Sequence, residues 1–300
     1  MALSKIGSNQ IDSAASLTVS GNVDVDGTTT VDGLTSSEAI KAADGTASAP
    51  SIVFDSDTNT GIYKKANDKL GFVTGGTEWM RITDLGRIEF QSPSAQTGVL
   101  QDQRLDWRNE NNAGIMASIG VLREQNALAP AALVFRTSTN VDSASNSSDG
   151  EIAEKMRISS QGYVTMPNQP GFYARRTTGG DGRPTGVITE WHISGAGTFN
   201  TGNHFNTSTG AFTAPVAGRY LFCAAPGYKQ TNHSFNFYFQ LNNGDNSEGV
   251  RFIGTPLDSH SLATGTVIYN LSANDTVRVR MLYTHHVNTT LNFFMGYLLG

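Results

Sequence analysis

Two stretches of this 300-residue chain repeat one another, and this duplication constrains the fold more than any other feature. Each copy contains an apolar-x-aromatic segment, a polar turn and a Gly-Ile pair, and later the motif Met-Arg-Ile-x-x-x-Gly. Three pairs of segments correspond without gaps: 52–62 with 105–115, 70–74 with 133–137, and 78–88 with 154–164. Short apolar segments separated by turn residues are typical of strands. The repeat therefore predicts two β-modules, a first module at 50–92 and a second module at 100–166.

Charged residues recur at matching positions of the two modules. Arg81 follows Glu78 by three residues, and Arg157 follows Glu154 by three residues. We expect these arginines to form structural ion pairs with the two glutamates or with their neighbours in an oligomer.

The segment Asp55-x-Asp57-x-Asn59 is similar to the start of a calcium-binding loop. Its glycine comes one position late, its twelfth position is Ala66, and the second copy has Arg108 in place of Asp55. We therefore interpret the segment as a polar turn and expect no metal site there.

A shorter repeat near the N-terminus places a Val-x-Gly unit every six residues, starting at Val19, Val25 and Val31. A six-residue period is typical of β-helices, in which valines point inward and glycines turn the chain. Three such faces complete only one coil, which has nothing to stack on within a single chain. The repeat therefore predicts a trimeric β-helical stem at 17–36. An independent turn-rich linker remains the alternative.

The charge and apolar patterns exclude several classes of partner. The formal net charge is −5 and the pI is about 5.7, so no basic surface is available for a nucleic acid. The longest apolar stretch, Ala127 to Phe135, is interrupted by Pro130 and is too short to span a membrane. The first residues lack the apolar region of a signal peptide. We expect a soluble protein without a signal peptide, an anchor or membrane insertion.

Cys223 is the single cysteine of the chain, so it cannot form an intrachain disulfide. Its neighbours Leu221, Phe222 and Ala224 are apolar. We expect Cys223 to be a small buried residue.

The composition of the sequence changes after Pro170, since all 6 histidines lie beyond it. Apolar residues alternate with other residues from Phe235 to Leu241 and from Val277 to Met281. This period of two, with strands about ten residues apart, predicts a β-sandwich or jelly roll.

Residues 206–222, NTSTGAFTAPVAGRYLF, resemble the signature of the C1q-like domain of the complement and tumour necrosis factor superfamily. Gly171–Arg175 resembles the first strand of that domain, and Phe294–Leu299 resembles its last strand. The resemblance implies a ten-stranded jelly roll at 170–300 that forms homotrimers, binds ligands and has no characteristic catalytic residues. The collagen stalk of vertebrate members is missing, because the chain has no Gly-X-Y run.

The preceding part of the chain resembles the shafts of bacteriophage tail fibres, especially those of marine phages. The matching features are Leu3 to Ile11, the Val-x-Gly repeats, Asp57 to Ile62, and the two Met-Arg-Ile-x-x-x-Gly motifs. The resemblance implies an all-β, elongated homotrimeric fibre that is made in the host cytoplasm and resides in the virion. Its segment 1–16, with Leu3, Ile6 and Ile11, would dock on a phage tail or other virion adaptor protein. A capsid or neck fibre that acts as a weak adhesin is the alternative.

Jelly-roll strands reverse direction one after another, so their loops alternate between two ends. The chain enters at Gly171, which predicts that loops 226–233, 254–261 and 284–290 lie at the far end. Loops 242–247 and 272–275 would lie at the near end. The far-end loops contain the candidate receptor-binding residues for a host cell-surface glycan or protein: Tyr228, Lys229, His233, Asp258, His260, His285, His286 and Asn288.

Three interpretations of this tip remain open. Its histidines, repeated threefold, could ligate an axial transition metal. They could instead form a receptor surface without metal, or the loops could be uninvolved. We predict a receptor surface, with no cofactor and no metal ligands.

A polysaccharide depolymerase is the rival class, since such enzymes use paired carboxylates. The carboxylates in 170–300 form no recognisable pair in the sequence: Glu190, Asp245, Glu248, Asp258 and Asp275. Asp258 and His260 are too close in sequence to belong to a catalytic triad. We therefore predict no enzymatic activity and no catalytic residues.

Overall fold

The computed structural model describes residues 41–91, 103–108, 115–124, 130–138, 152–176, 180–183, 185–228, 235–244, 251–254, 261–282, 285–287 and 292–300. Every regular element in these ranges is a β-strand, which confirms the all-β prediction. Within the same ranges, no helix is long and apolar enough to cross a membrane. The predicted attachment segment and stem, including Leu3, Ile6 and Ile11, lie outside the described residues. The chain divides into two compact units, 1–93 and 94–300.

The first module is a five-stranded antiparallel meander in the order β1-β2-β3-β4-β5. Its strands are β1 (Ile52–Phe54), β2 (Asp57–Ala66), β3 (Lys69–Thr74), β4 (Thr77–Ile82) and β5 (Ile88–Phe90). The β3–β4 turn consists of Gly75 and Gly76, whose φ angles are +56° and +74°. Two positive φ angles suit the twist of a tight hairpin, and glycine adopts them without steric cost.

The second module is an equivalent meander in the second compact unit. Its strands are β6 (Gln103–Arg108), β7 (Ile115–Arg123), β8 (Ala131–Ser138), β9 (Ile152–Ile158) and β10 (Val164–Thr165). Phe135 pairs with Met156 as Phe72 pairs with Met80, and a β-bulge follows at the same position in both modules. The shared strand order and register confirm the duplication.

One part of the sequence alignment is wrong. Ile52 lies opposite Ile62 in the first module, whereas Leu105 lies opposite Ile119 in the second. The counterpart of Ile62 is therefore Ile119 and not Ile115, so the β6–β7 connection is four residues longer than the β1–β2 connection. A turn can lengthen without any change in the strand pattern, and for this reason the gapless alignment gave the wrong register.

The predicted ion pairs are present in both modules. Arg81 contacts Glu78, and Arg157 binds Glu154 through two hydrogen bonds of 2.9 and 2.7 Å. Residues three apart on a regular strand point to opposite faces. The repeated bulge adds one residue between each glutamate and its arginine, which brings both side chains to one face.

Glu78 has further partners, and they make the first module sensitive to acid. The Tyr63 hydroxyl donates to Glu78, and the Lys65 ammonium lies 3.5 Å from it. Burial alone would raise the pKa of Glu78, but hydrogen bonds from Tyr63 and Arg81 and the charges of Arg81 and Lys65 lower it below its ordinary value. A lowered folded-state pKa gives stability above the unfolded-state pKa, and this stability is lost as the pH falls through the folded-state pKa.

We expect hydrogen exchange at the β3 and β4 amides to accelerate as the pH falls below the ordinary glutamate range, after correction for intrinsic exchange rates. Glu78→Gln should accelerate exchange at neutral pH and flatten this acid dependence. The exposed control Asp55→Asn should leave both unchanged. An unchanged acid dependence in Glu78→Gln would contradict the assignment.

The C-terminal region is a jelly roll, and its described segments contain fifteen strands. They are β11 (Gly171–Arg175), β12 (Gly180–Arg183), β13 (Gly186–Val187), β14 (Phe199–Thr201), β15 (Phe205–Asn206), β16 (Ala211–Thr213), β17 (Gly218–Ala225), β18 (Gly227–Tyr228), β19 (Phe235–Leu241), β20 (Arg251–Gly254), β21 (Ser261–Leu262), β22 (Gly265–Leu271), β23 (Thr276–Met281), β24 (His285–Val287) and β25 (Phe293–Leu298). The main sheets have the orders β14-β11-β25-β17-β22 and β15-β16-β23-β19-β20. These two paths contain ten strands, which is the predicted number, while β13 pairs additionally with β23.

Aromatic side chains from both sheets fill the jelly-roll core. Phe172 stacks on Phe205 at 4.2 Å between ring centroids and meets Phe294 edge to face at 4.8 Å. The alternating segments are confirmed, since the core contains Phe237, Phe239, Val277, Val279 and Met281. A Cβ atom at Gly296 would lie 2.7 Å from the rings of Phe172 and Phe222. The missing side chain of Gly296 therefore leaves the space that these rings occupy.

The expected burial of Cys223 is wrong, because its side chain is partly exposed. Strand alternation places Phe222 and Ala224 in the core and Cys223 on the outer face. There its sulfur accepts a hydrogen bond from the Thr266 hydroxyl at 3.3 Å.

Candidate functional site

The strand registers define two ends of the jelly roll. Gly171 pairs with Tyr297 at the end where the chain enters, which we call the proximal end. Gly218 pairs with Leu271 at this end, and the Ser272–Asp275 turn follows directly. The opposite end, which we call the distal end, contains the last residue of β11 and the first residue of β25. The loop directions in the described parts agree with the sequence analysis.

The proximal turn is held by polar contacts within the domain. The Asn242 side chain donates to Asp275 at 2.7 Å, and the Ser272 amide donates to the other Asp275 oxygen at 2.7 Å. These two hydrogen bonds lower the pKa of Asp275. Asp275, one of the carboxylates considered for catalysis, therefore has a structural role in the turn.

Short strand pairs bring the distal segments together. Tyr228 in β18 pairs with Ser261 in β21, and Val287 in β24 pairs with Gly180 in β12. Strand β18 also contacts β24. The backbone therefore joins the beginning of loop 226–233, the end of loop 254–261 and the middle of loop 284–290.

This arrangement covers only part of the predicted receptor-binding set. The structure describes the backbone of Tyr228, His285 and His286 within β18 and β24. The other five candidates lie outside the described residues: Lys229, His233, Asp258, His260 and Asn288. In the described part of the chain, no group of three or more His, Cys, Asp or Glu residues could hold a metal ion.

A pocket that the sequence analysis missed lies beside the distal end. It has a volume of about 440 Å³ and is lined by Glu190, Trp191, His192, Thr207 and Ser208. His192 is fixed to the last residue of β11 by two backbone hydrogen bonds of 2.7 and 2.9 Å. The carboxylate, imidazole and hydroxyl groups that line the pocket could accept hydrogen bonds from a small polar ligand and donate hydrogen bonds to it.

The acidic wall of this pocket is held by a buried arginine. Arg176, directly after β11, is 3% exposed and its guanidinium lies 3.2 Å from the Glu190 carboxylate. Glu190 has a φ of +64°, a strained backbone conformation for a residue other than glycine. The sequence analysis considered only Glu190 among these residues, and nothing in the sequence indicates that residues 190–192 lie close to Thr207 and Ser208.

The two described carboxylates among the catalytic candidates do not form a pair. Glu190 lies beside the distal end, whereas Asp275 lies in the proximal turn. Asp245, Glu248 and Asp258 lie outside the described residues.

The outer face of the β14-β11-β25-β17-β22 sheet carries two rows of mainly apolar side chains, beside polar residues such as Thr266 and Arg219. One cross-strand row contains Phe199, Tyr173, Met295 and Cys223, and the next contains Tyr297, Leu221 and Ile268. Ile268 is 59% exposed, Phe199 43% and Tyr297 41%. A face of this composition on the surface of a domain is typical of a protein interface.

The two five-stranded paths, with one aromatic core between them, define a jelly-roll domain. Residues 191–299 match the family model described as the C1q domain. The jelly roll itself begins earlier, at Gly171, since β11 lies inside one of its main sheets. Domains of this type are typically non-enzymatic ligand-binding modules and are often trimeric.

Several solved structures match part of this chain at low sequence identity. The globular domain of zebrafish complement 1qA protein is 16% identical with a TM-score of 0.35, and 44% of this chain covers 98% of that one. Eiger TNF from S. frugiperda is 14% identical with a TM-score of 0.36, and 44% of this chain covers 94% of that one. Murine APRIL at pH 5.0 is 10% identical with a TM-score of 0.35, and 44% of this chain covers 99% of that one. No curated protein matches the chain.

Proposed function

We propose that this protein is a homotrimeric phage tail fibre whose C-terminal jelly roll binds a host cell-surface receptor, most simply a glycan, through its distal end. The N-terminal segment, with Leu3, Ile6 and Ile11, attaches the fibre to a tail or other virion adaptor protein. The fibre is made in the host cytoplasm and acts as part of the virion. It uses no cofactor, binds no nucleic acid and does not insert into a membrane.

The convergence of the distal segments is the observation that supports this proposal most directly. The chain enters the jelly roll at the proximal end, and β18, β21 and β24 come together at the other end. A fibre that is attached by its N-terminal side would present this end to a cell. Loops that are held by a rigid β-scaffold are frequent binding surfaces.

The trimeric state is supported by the apolar outer face of the jelly roll. Its two rows expose large side chains that a single chain leaves in water. Contact with two further copies would bury them, and about 25 cal/mol is gained per Å² of apolar surface removed from water.

The receptor-binding surface can be tested with the triple variant Tyr228→Ala/His260→Ala/His286→Ala in the full-length chain. We expect this variant to lose binding to an array of bacterial surface polysaccharides and to host cells, because truncating central interface residues removes most of the binding energy. Light scattering should give the same molar mass as for the unsubstituted protein.

A matched control places three substitutions at exposed positions of the proximal end: Thr213→Ala, Asn243→Gly and Ser272→Ala. This control should bind as strongly as the unsubstituted protein. Undiminished binding by the distal triple variant would contradict the proposed surface.

A further inference from the structure

Each of the two meanders has one face that is apolar across the sheet. Directly opposed residues of antiparallel strands point to the same face. In the first module, one row joins all five strands through Ile52, Ile62, Phe72, Met80 and Phe90. A neighbouring row on the same face contains Leu70, Ile82 and Ile88.

The second module repeats this face residue by residue. Its first row contains Leu105, Ile119, Phe135 and Met156, and its second row contains Val121, Leu133, Ile158 and Val164. The shared register therefore preserves an apolar face and not only a strand order.

The two faces of each module differ in their contacts. The ion pairs Glu78–Arg81 and Glu154–Arg157 lie on the opposite face, where Tyr63 and Val134 are 4% and 0% exposed. On the apolar face, Ile88 is 62% exposed and Leu105 is 50% exposed. Each module is a single sheet, so the described residues of that sheet supply no second layer for its apolar face.

Three properties of these faces point to other copies of the same chain as their partner. First, the rows are uncharged apart from Lys64 at one margin of the first module, so identical faces can meet without repulsion. Second, the face occurs twice in tandem, and another copy of the chain supplies a partner with the same repeat. Third, the charged residue at that margin, Lys64, already pairs with Asp44 of the same chain at 3.2 Å, so it does not call for a partner of opposite charge.

The connection to the jelly roll adds a fourth argument. Only the five residues Met166–Pro170 separate β10 from β11. Such a segment spans at most about 18 Å when it is fully extended. Trimerisation of the jelly roll would therefore hold three second modules close together, at an effective concentration on the order of millimolar.

We propose that the apolar faces of the two modules pack against the same faces of neighbouring copies, three sheets around a common axis, so that each module has an intermolecular core. This inference rests on the trimer of the proposed function and identifies the surface that assembles N-terminal to the jelly roll.

Charge substitutions in the full-length protein test this surface. Ile88→Lys and Leu105→Lys change side chains that are exposed in a single chain. Substitutions at such positions have small effects on the stability of a monomer. In the proposed trimer, each substitution places three lysines, one from each chain, in an apolar interface. We expect proteolytic cleavage within 50–166 to be at least about tenfold faster, which corresponds to about 1.4 kcal/mol. The matched control Gln91→Lys, next in chain to β5 and on the ionic side, should cleave at the original rate. Equal cleavage of all three variants and the original protein would overturn the proposal.

A second measurement requires no substitution. Photo-methionine can replace methionine during expression, and Met80 and Met156 lie in the apolar rows. In trimers assembled from isotopically heavy and light chains, we expect heavy–light cross-links from these residues to the apolar rows. Cross-links within single chains only would contradict the proposal. A monomer by light scattering would contradict the proposed trimer, whereas an intact trimer with only intrachain cross-links would contradict the shared faces alone.

Discussion

Replacing Phe172 by alanine is expected to lower the free energy of unfolding of the jelly roll by about 3–5 kcal/mol. Phe172 is fully buried and packs against rings of the opposite sheet, with centroids 4.2 Å from Phe205 and 5.3 Å from Phe212. The truncation removes apolar surface and leaves a cavity that stacked rings cannot fill. Urea unfolding measures the loss in a background with Trp79→Phe and Trp107→Phe, where the fluorescence comes from Trp191 in the core.

The control is Val216→Ala, since Val216 is 47% exposed in a proximal loop. We expect this change to cost under about 0.5 kcal/mol. A cost for Phe172→Ala as small as that of the control would show that the core is not packed as described.

The second large effect is expected at Gly71 in the first module. A Cβ atom there would lie 2.4 Å from the Tyr63 ring, so Gly71→Val should destabilise the module by about 1–3 kcal/mol. In the second module, the glycine of the equivalent pair lies on the other strand. Gly120 stands at the position of Tyr63, and its partner Val134 stands at the position of Gly71. The double variant Tyr63→Gly/Gly71→Val copies that arrangement and should be more stable than the sum of the two single changes predicts.

A double-mutant cycle measures this compensation. Tyr63→Gly also removes the hydrogen bond to Glu78, so the single variant is the necessary reference. We expect a favourable coupling of about 0.5–3 kcal/mol in the free energy of unfolding. Strict additivity would mean that the clash with the Tyr63 ring does not determine the cost of a side chain at position 71.

The sequence predicts much of the fold because its strongest signals are periodic. The alternation of apolar with other residues located β19 and β23. The duplicated motifs located both meanders with their ion pairs. The register of β7 was wrong because an alignment cannot place extra residues in a turn whose polar composition resembles that of its shorter counterpart. The predicted burial of Cys223 was wrong for a related reason. Successive residues of one strand point to opposite faces of the sheet, so an apolar stretch contributes side chains to both faces.

The candidate site was less accessible to sequence reasoning. Loop order alone predicts which loops share an end of a jelly roll, and the pairing of β18 with β21 agrees with that order. The pocket beside the distal end joins residues 190–192 to Thr207 and Ser208. Neither segment contains a motif, and the two hydroxyl residues lie in a turn whose Ser208 and Thr209 amides donate to the Asn206 side chain. Such a juxtaposition depends on tertiary packing.

The position of β11 in its sheet has a mechanical consequence. This strand begins at the proximal end and lies between β14 and β25, with hydrogen bonds to both. In the proposed fibre, a bound cell would pull on the distal loops while the virion holds the N-terminal side, so the tension would run along β11. The hydrogen bonds on both sides of the strand are then loaded together in shear rather than opened one after another. Because forced unfolding is governed by the unfolding rate, this placement of β11 favours a domain that stays folded longer under tension.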